Sequence, residues 1–423
     1  MHVSSLSAEP RSHVNNRAMV DVLFMQSQAY FGSDSMIHSL IMRELDRSRF
    51  RVHVACNRGS GGRKSASLAA LEQIPGLIVR PTDFGPTVNA RSHGQIASDL
   101  ARTGPGAVID LAGLVRYARR NRIAIVHGTE KPRDAFYGLL LARAVGARAV
   151  THLHVGIEDW ISPLTRWAMA RDDGLIAVSQ FVAATAIAKG YSAERTSWVL
   201  NGVDASRWDP DTDGRPLRRE LGLPEEIPVI SIISRLFPWK GHGILLEALA
   251  KVKADGLPFK LLVAGEDDPR ATPGGGSYLA QIRNQAEGLG LADDVVFTGF
   301  RRDVEALLAA TDIYAMPSFE EPCAVAFLEA MAMARPVVAL ASGGTPQLVE
   351  HGRSGLLSAP DDIDALAANV AMLLHDPDAR RRMGCEARRD VERYFTPRRL
   401  AADVEAIYDR LLDPRPIGGP GPW

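Results

Sequence analysis

The sequence predicts an α/β protein with two domains, each built on a parallel β-sheet covered by helices. Short apolar runs alternate with amphipathic, helix-length stretches almost from end to end. The short runs are nearly continuous in apolar residues, which is typical of parallel strands buried on both faces. This alternation stops at a turn-rich stretch, residues 201–216, and then begins again. We therefore predict two Rossmann-like domains facing each other across a cleft, with ligands bound beyond the carboxyl ends of the strands.

Seven strands are predicted before this break and six after it. The first seven cover residues 20–25, 51–56, 77–80, 123–127, 148–153, 174–178 and 197–200. The other six cover residues 229–233, 260–264, 295–298, 313–316, 337–340 and 355–357. The amino-terminal domain is predicted to span 18–205 and the carboxyl-terminal domain 206–396. A helix is predicted at 397–412, capped by Thr396 and opened by Pro397. The Pro/Gly-rich tail, 413–423, is predicted to be disordered.

Composition excludes several classes of protein. Of the 423 residues, 46% are hydrophobic and 23% are charged, with a net charge of −1, so disordered, collagen-like and nucleic-acid-binding chains are disfavoured. The near-zero total hides an asymmetry. Residues 18–204 carry 22 Lys and Arg against 16 Asp and Glu, whereas residues 205–423 carry 25 against 33. The two halves are thus predicted to have different partners.

The cysteines and the apolar segments indicate the compartment. The three cysteines share no metal-binding spacing, and so few in a long chain favour a reducing environment. The first 17 residues lack the apolar core of a signal peptide, and no apolar stretch approaches the roughly 18 residues of a membrane span. We predict a cytoplasmic protein for which membrane association is not evident.

Two cations follow the first strand of the second half. Arg235 and Lys240 lie between a predicted strand end and a predicted helix start. A guanidinium fork, an ammonium and the positive end of a helix dipole together form a receptor for a diphosphate. From spacing alone, the alternative is a surface loop with solvated cations.

Two carboxylates lie in the segment from residue 317 to 330. Glu321 is predicted to end a loop, Pro322 to begin a helix, and Glu329 to lie two turns inside it, about 12 Å along the axis. Carboxylates so placed could hold two ends of a hydroxyl-rich ligand, with the free N–H groups near Cys323–Val325 between them. The alternative is that both merely favour the amino half of a helix, although burial of a lone Glu329 carboxylate would be costly.

Several of these segments together resemble the family 4 glycosyltransferases of the GT-B fold, which transfer sugars from nucleotide-sugars with retention of anomeric configuration. The resemblance rests on SRLFPWKG at 234–241, EEPCAVAFLEAMAMARPVVA at 320–339 and GGTPQLVEHGRSGLL at 343–357. In the first half, GLIAVS at 174–179 and VLNGVD at 199–204 resemble that family's passage between domains. The resemblance covers roughly residues 20–412 and implies a carboxyl-terminal helix that crosses back to the first domain.

The resemblance implies a role for each matching residue. Arg235 and Lys240 would neutralise the diphosphate as it leaves, while Glu321 would hold sugar hydroxyls and Glu329 the ribose hydroxyls. The residues implied to be catalytic are Arg235, Lys240, Glu321 and His154. The residues implied to bind the donor are Gly32, Arg235, Lys240, Thr298, Phe300, Arg301, Glu321, Cys323, Ala324, Val325 and Glu329. Candidates for acceptor contact, at strand ends of the first domain, are Ser33, Asp34, Glu130, Arg133 and Glu158.

Cofactor chemistry is expected to be absent. The implied transfer needs no metal, and no Asp-x-Asp pair follows a strand where a metal-bound diphosphate would require it. His152 and His154 lie on one face of a strand, but no third ligand stands near them in the sequence. We therefore predict no metal site, and no cofactor other than a UDP- or GDP-linked sugar as co-substrate. The acceptor is predicted to be a small soluble molecule.

The sequence also departs from the family. Cys323-Ala324 stands where the family usually has Phe-Gly, which suggests a donor sugar that differs from glucose in size or substitution. A single Gly32 stands where a glycine pair is frequent. Two alternatives remain: a sugar phosphorylase or nucleotide-sugar epimerase on the same fold, and a non-catalytic nucleotide-sugar-binding protein. A nicotinamide dehydrogenase is disfavoured, because no Gly-x-Gly-x-x-Gly turn follows the first strand.

Overall fold

The computed structural model describes residues 19–85, 93–158, 161–268, 271–272 and 276–413, and gives only the backbone of 93–105. Every predicted strand is found, with its ends shifted by at most two residues. The strands are β1 (Val20–Gln26), β2 (Phe50–Asn57), β3 (Ile78–Thr82), β4 (Ile125–Thr129), β5 (Arg148–Leu153), β6 (Gly174–Ala177), β7 (Thr196–Trp198), β8 (Val229–Ile233), β9 (Lys260–Ala264), β10 (Val295–Gly299), β11 (Ile313–Ala315), β12 (Val337–Leu340) and β13 (Gly355–Ser358).

Helices connect the strands. They are α1 (Ser33–Glu44), α2 (Ala66–Leu71), α3 (His93–Arg120), α4 (Pro132–Val145), α5 (Pro163–Met169), α6 (Gln180–Ala188), α7 (Arg215–Glu220), α8 (His242–Ala254), α9 (Tyr278–Gly288), α10 (Val304–Ala309), α11 (Val325–Ala332), α12 (Ile363–His375), α13 (Pro377–Tyr394) and α14 (Pro397–Leu412). Among the described residues, none of these helices is long and apolar enough to cross a membrane. Except for Asp413, the predicted disordered tail lies outside the described residues.

The strands form two parallel sheets, as predicted. The first has the order β3-β2-β1-β4-β5-β6-β7 and the second β10-β9-β8-β11-β12-β13. In each sheet the strand order reverses beside the first strand, between β1 and β4 and between β8 and β11. Crevices at the carboxyl ends of such a reversal are where open α/β sheets bind ligands. The two Rossmann-like domains therefore each present one binding edge.

Burial explains why the strands read as continuous apolar runs. Val22, Leu23, Phe24 and Met25 of β1 are all fully buried, although alternate side chains point to opposite faces of the sheet. Helices cover both faces, so neither face can be polar. The same holds for β12 in the second sheet, whose four residues are at most 1% exposed.

Helix α14 returns from the second domain to the first. Its buried residues Leu400, Val404 and Tyr408 join the core formed by Val22 and Phe24 of β1, and the helix packs along α1. The predicted cap is confirmed, because the Thr396 hydroxyl accepts a hydrogen bond from the Arg399 amide at 3.2 Å.

The two chain segments that pass between the domains lie side by side. The Val203 amide donates to the Phe395 carbonyl at 2.8 Å. The Arg399 guanidinium donates to the carbonyls of Leu200 and Asn201, each at 2.8 Å. A motion of one domain relative to the other therefore bends both passages together.

Candidate functional site

The two cations predicted to bind a diphosphate follow β8 at the carboxyl edge of the second sheet. Arg235 is 59% exposed and forms an ion pair with Asp268 at 2.7 Å. Lys240 ends a single 3₁₀ turn, and its ammonium lies 2.8 Å from the Glu321 carboxylate and 4.0 Å from the centre of the Trp239 ring. One cation is thus open to solvent and the other is enclosed with a carboxylate.

Gly241 lets the loop after β8 pack against the loop after β11. Its φ of +83° is in the left-handed region that favours glycine. A Cβ atom at this position would lie 2.0 Å from the Pro317 carbonyl oxygen. The Phe319 amide also donates to the Trp239 carbonyl at 2.8 Å. This close approach brings Lys240 to Glu321.

The Glu321 loop is held by a glycine turn that follows β12. Glu320 has a φ of +47°, which is uncommon for a residue with a side chain. The Gly344 amide donates to the Glu321 carbonyl at 2.7 Å, and a Cβ on Gly343 would lie 2.4 Å from that same oxygen. The Glu321 side chain is 7% exposed and that of Lys240 is 13%. A buried ion pair of this kind is weak evidence for stability and instead suggests a role in the site.

The helix after this loop begins later than predicted. We expected Pro322 to open it, but α11 begins at Val325, and Ala324 before it is extended. The reason is tertiary, because the Glu321 carbonyl, which a helix starting here would use, bonds the Gly344 amide. Glu329 therefore lies about one turn inside the helix, not two.

Glu329 is partly buried behind this loop. Burial raises the pKa of its carboxyl to about 7, against a smaller opposing effect of the Arg207 guanidinium. Within the ranges that the structure describes, no ion pair is formed by Glu329. A carboxyl that titrates near pH 7 without a partner is suited to accept hydrogen bonds from ligand hydroxyls.

Thr298, Phe300 and Arg301, which the resemblance implies to bind the donor, lie at the carboxyl end of β10 or directly after it. Gly299 has a φ of +71° and its carbonyl accepts from the Gly265 amide at 3.0 Å, so the loops after β9 and β10 are joined. Thr298 directs its hydroxyl to the Gly299 carbonyl, and Phe300 is 60% exposed. The Arg301 guanidinium is bound by Glu220 and Asp303. At this edge the Phe300 ring is thus exposed, whereas the Arg301 side chain is paired with two carboxylates.

Cys323 faces the passage between the domains. The Asn201 amide lies 3.4 Å from its sulfur, and the Asn201 side chain donates to its carbonyl at 3.0 Å. Burial raises the pKa of the thiol to about 12, so it is not a nucleophile. Because the sulfur contacts Asn201, Cys323 lends no support to the prediction of an unusual donor sugar. Ala324 is also buried, directly before α11.

The facing edge of the first sheet is organised by Asp134. Its carboxylate, fully buried, accepts from the Ser27 amide at 2.9 Å and the Thr129 hydroxyl at 2.8 Å. It thereby ties the loop after β1 to the end of β4. Burial raises the pKa of this carboxyl to about 6, which the two hydrogen bonds partly oppose.

Three charged residues lie together at this edge. Lys131 is 2.9 Å from Glu130 and 3.7 Å from Asp34, and both carboxylates are largely buried. These neighbours, Glu130 first, raise the pKa of Lys131. Glu130 also accepts from the His154 amide at 3.2 Å. The sequence analysis named Asp34 and Glu130, and the structure joins both of them to Lys131 and places Glu130 beside His154.

The remaining candidates for acceptor contact are more scattered. The Arg133 guanidinium donates to the carbonyls of Ser27 and Gly85, each at 2.8 Å, so two of its five donors support these loops. Ser33 begins α1, and Gly32 before it lies in extended backbone, with the Tyr30 ring 2.9 Å from where a Cβ would stand. Glu158 is exposed, beyond β5.

Four histidine rings lie beneath the cleft. His154 follows β5 and is partly exposed, whereas His38, His127 and His152 are fully buried. The His154 and His38 Nε2 atoms are 3.3 Å apart. Burial lowers the pKa of His38 to about 4 and lowers those of the other three as well, so all four rings are neutral at pH 7. The sequence spacing did not reveal that His38 is a third ring beside His152 and His154, because it lies 116 residues before His154.

The two edges face each other across one cleft. The Gln180 amide donates to the Gln347 side chain at 2.8 Å, and a Cβ on Gly344 would lie 3.0 Å from Ser179. Burial raises the pKa of Tyr30, and the smaller opposing effects of Lys131 and Arg235 show that these cations lie near its ring. Arg235, after β8, and Lys131, after β4, thus both lie near Tyr30.

His242, at the start of α8, makes the stability of the fold depend on pH. Burial lowers its pKa to about 4, whereas an unfolded histidine titrates near 6.5. The folded ring therefore stays neutral while the unfolded one becomes charged. The stability that this difference contributes is complete above pH 6.5 and is lost between pH 6.5 and 4.

We expect the free energy of unfolding to fall between pH 7 and pH 5 in both wild type and His242→Gln, and the decrease to be about 2 kcal/mol smaller in His242→Gln. Urea unfolding at both pH values measures this, with His375→Gln, an exposed site, as the control. Equal pH dependence in wild type and His242→Gln would refute it.

Comparisons with known proteins agree with this arrangement. The family model described as "Glycosyl transferases group 1" matches residues 214–390, and the one described as "Glycosyltransferase Family 4" matches residues 39–207. A Mycolicibacterium smegmatis GDP-mannose-dependent alpha-(1-6)-phosphatidylinositol monomannoside mannosyltransferase is 36% identical over 269 residues, 60% of this chain and 68% of that protein. A Corynebacterium glutamicum D-inositol 3-phosphate glycosyltransferase is 33% identical over 53% of this chain and 54% of its own length.

Solved structures show the same architecture. Anabaena HepE in complex with UDP and glucose is 26% identical to this chain, with a TM-score of 0.73. The match covers 92% of this chain and all of that one.

Proposed function

Because this chain belongs to the family 4 glycosyltransferases of the GT-B fold, we propose that it transfers a sugar from a UDP- or GDP-linked donor to an acceptor hydroxyl with retention of anomeric configuration. The observation that carries the proposal is the enclosed Lys240–Glu321 pair before α11, beside the exposed Arg235. Two cations and a helix amino terminus stand where a diphosphate can bind, next to a carboxylate that can bind sugar hydroxyls.

The cations act on the leaving group. Breaking the bond between the sugar and the diphosphate places negative charge on a phosphate oxygen, and Arg235 and Lys240 stabilise that charge. Their present partners, Asp268 and Glu321, keep them positioned before the donor arrives. In a front-face transfer the departing phosphate oxygen takes the acceptor's proton, so no protein base is required. The cations and the α11 amino terminus also take the place of a metal in this step.

The nucleotide end of the donor is assigned to the second domain. The loops after β9 and β10 accommodate the base, with the Phe300 ring exposed beside them. Glu329 accepts hydrogen bonds from the ribose hydroxyls. Mannosyl transfer from GDP-mannose by the Mycolicibacterium relative and UDP in HepE favour these two bases as the first to test.

Glu329 predicts a pH dependence of nucleotide binding. Because its pKa is about 7, the fraction of Glu329 present as carboxylate increases between pH 6 and pH 8. The carboxylate accepts hydrogen bonds from hydroxyl groups more strongly than the neutral acid does. The Kd for the nucleoside diphosphate should therefore decrease about threefold to tenfold from pH 6 to pH 8. Calorimetric titration measures it. In Glu329→Gln the Kd should be larger and should lack the pH dependence that the carboxyl causes. A pH profile in that variant equal to that of wild type would contradict the assignment.

The acceptor is assigned to the first domain. Asp34, Glu130 and Lys131 border the cleft opposite the donor cations, and carboxylates and ammonium groups are suited to bind a polyhydroxylated molecule. We assign a small soluble acceptor. The surplus of positive charge in residues 18–204 would favour an anionic one. The names of the relatives suggest D-inositol 3-phosphate and phosphatidylinositol monomannoside as soluble and lipid probes.

Two measurements test the proposal. Thermal shifts with UDP, GDP, ADP and dTDP identify the base, because a ligand stabilises by RT ln(1 + [L]/Kd). Release of that nucleoside diphosphate from its sugar conjugate is then measured with and without soluble and lipid acceptors, and the anomeric configuration of the product is determined by NMR. Acceptor-dependent release with retention supports the proposal. Release that requires free phosphate would indicate a phosphorylase, epimerised donor would indicate an epimerase, and binding without turnover on any acceptor would indicate a sensor.

A further inference from the structure

The histidine cluster of the first domain has the geometry of a ligand set. His38 lies in α1, His152 lies near the carboxyl end of β5, and His154 directly follows that strand. Their ring centres are 4.6 to 5.3 Å apart. One ring nitrogen from each of the three lies within 4.8 Å of those of the other two. Three imidazoles from two elements therefore converge on one point beneath the cleft.

One of the three nitrogen–nitrogen distances matches that of a tetrahedral metal site. The Nε2 atoms of His38 and His154 are 3.3 Å apart. Zn–N bonds of about 2.0–2.1 Å in a tetrahedron place neighbouring ligand nitrogens about 3.3 Å apart. The Nε2 atom of His152 is fully buried and has no hydrogen-bond partner among the described residues. An unpartnered buried nitrogen is costly, and a metal would satisfy it.

A hydrogen-bonded chain behind the cluster orients His152. Its Nδ1 atom is 3.3 Å from His127 Nε2, and His127 Nδ1 is 2.5 Å from the Tyr408 hydroxyl of α14. If each Nδ1 carries the proton, His152 donates to His127, which donates to Tyr408. The lone pair of His152 Nε2 is then left for a metal. Metal-binding histidines usually donate their second ring nitrogen in this way, which fixes the tautomer and the ring orientation.

We propose that His38, His152 and His154 form a binding site for a first-row transition-metal cation, with Zn²⁺ as the reference ion. Neutral imidazoles are suitable ligands for Zn²⁺, Co²⁺, Ni²⁺ and Cu²⁺, and three of them leave a fourth position for water on the side where His154 is exposed. Glu130, whose carboxylate accepts from the His154 amide, adds negative charge near His38. The Lys131 ammonium, which is paired with Glu130, also lies near enough to act on His154. The site is distinct from the diphosphate cations of the second domain.

The proposal has a consequence that rests on the proposed function. His154 borders the cleft, and the family resemblance implies that its ring faces the donor sugar, so a metal that holds this ring withdraws it from the sugar. Occupation of the site is therefore inhibitory, and Zn²⁺ should lower transfer in wild type while a variant with one ligand removed loses this inhibition. Because metal binding is measured without donor or acceptor, its outcome is independent of whether the chain proves to be a transferase.

The direct test uses the metal-free wild-type protein. Titration with Co²⁺ should give the intense visible absorption of tetrahedral coordination, and calorimetry with Zn²⁺ should give one site per chain with a Kd of about 1 µM or tighter. Neither measurement depends on a variant that may misfold. Absence of Co²⁺ absorption together with no saturable Zn²⁺ binding overturns the proposal.

Variants assign the site to these residues. His38→Asn and His152→Asn should each weaken Zn²⁺ binding at least about 100-fold, and Tyr408→Phe, which removes the outer partner, about tenfold. His375→Asn, an exposed histidine of α12, is the matched control and should bind as wild type does. Circular dichroism checks that each variant is folded. Folded His38→Asn and His152→Asn proteins that bind Zn²⁺ as tightly as wild type would place the metal elsewhere and overturn the assignment.

Discussion

Replacing Lys240 with glutamine is expected to lower kcat at least about 100-fold while the protein stays folded. The Lys240 ammonium lies 2.8 Å from the buried Glu321 carboxylate at the amino end of α11. In the proposed mechanism it stabilises charge that appears only as the diphosphate leaves, so its loss acts on kcat more than on KM. Steady-state release of nucleoside diphosphate measures both constants.

The pair is buried, so stability must be separated from catalysis. Loss of the ammonium alone leaves Glu321 as an uncompensated charge, which is destabilising. The double variant Lys240→Gln with Glu321→Gln removes both charges and should recover much of the lost thermal stability without recovering turnover. Lys251→Gln, an exposed lysine of α8 paired with Asp364, is the matched control and should keep full activity. Near wild-type turnover in Lys240→Gln would remove the central element of the proposed function.

Replacing Gly241 with alanine is expected to lower the free energy of unfolding by about 2–5 kcal/mol and to reduce activity. Its φ of +83° costs an alanine roughly 1–2 kcal/mol. The added Cβ would in addition lie 2.0 Å from the Pro317 carbonyl oxygen, and such overlap costs about 1–3 kcal/mol more. Relief of the overlap moves Lys240 away from Glu321, so kcat should fall together with stability. Urea unfolding and steady-state kinetics measure the two effects.

Gly256, at the other end of α8, provides the matched control. Its φ is +78°, but a Cβ there would meet no atom within 4 Å. Gly256→Ala should therefore show the backbone cost alone, about 1–2 kcal/mol, with unchanged kcat. Equal destabilisation in the two variants would mean that the contact with Pro317 is not what requires glycine at position 241.

Much of the fold and part of the site follow from local sequence patterns. The buried strands could be predicted because covered parallel strands must be apolar on both faces, and Thr396-Pro397 marked the start of α14 through capping chemistry alone. The start of α11 was predicted wrongly, because the Glu321 carbonyl bonds Gly344, a contact between different segments. Arg133 was expected at the acceptor, and only the structure shows that two of its guanidinium donors also hold loop carbonyls. Asp268, the partner of Arg235, gave no signal in the sequence at all.

The sequence by itself determined the two sheets, the basic and acidic halves, the positions of Arg235 and Lys240 after β8, and the family to which the chain belongs. These features are local or repeated, so burial and turn chemistry leave them visible in the order of residues. Only the tertiary structure decided that Lys240 meets Glu321, 81 residues further on, and that His38 joins His152 and His154. Such meetings depend on strand order and on the close packing of loops, which bring distant segments to one edge of a sheet. No short-range pattern records them.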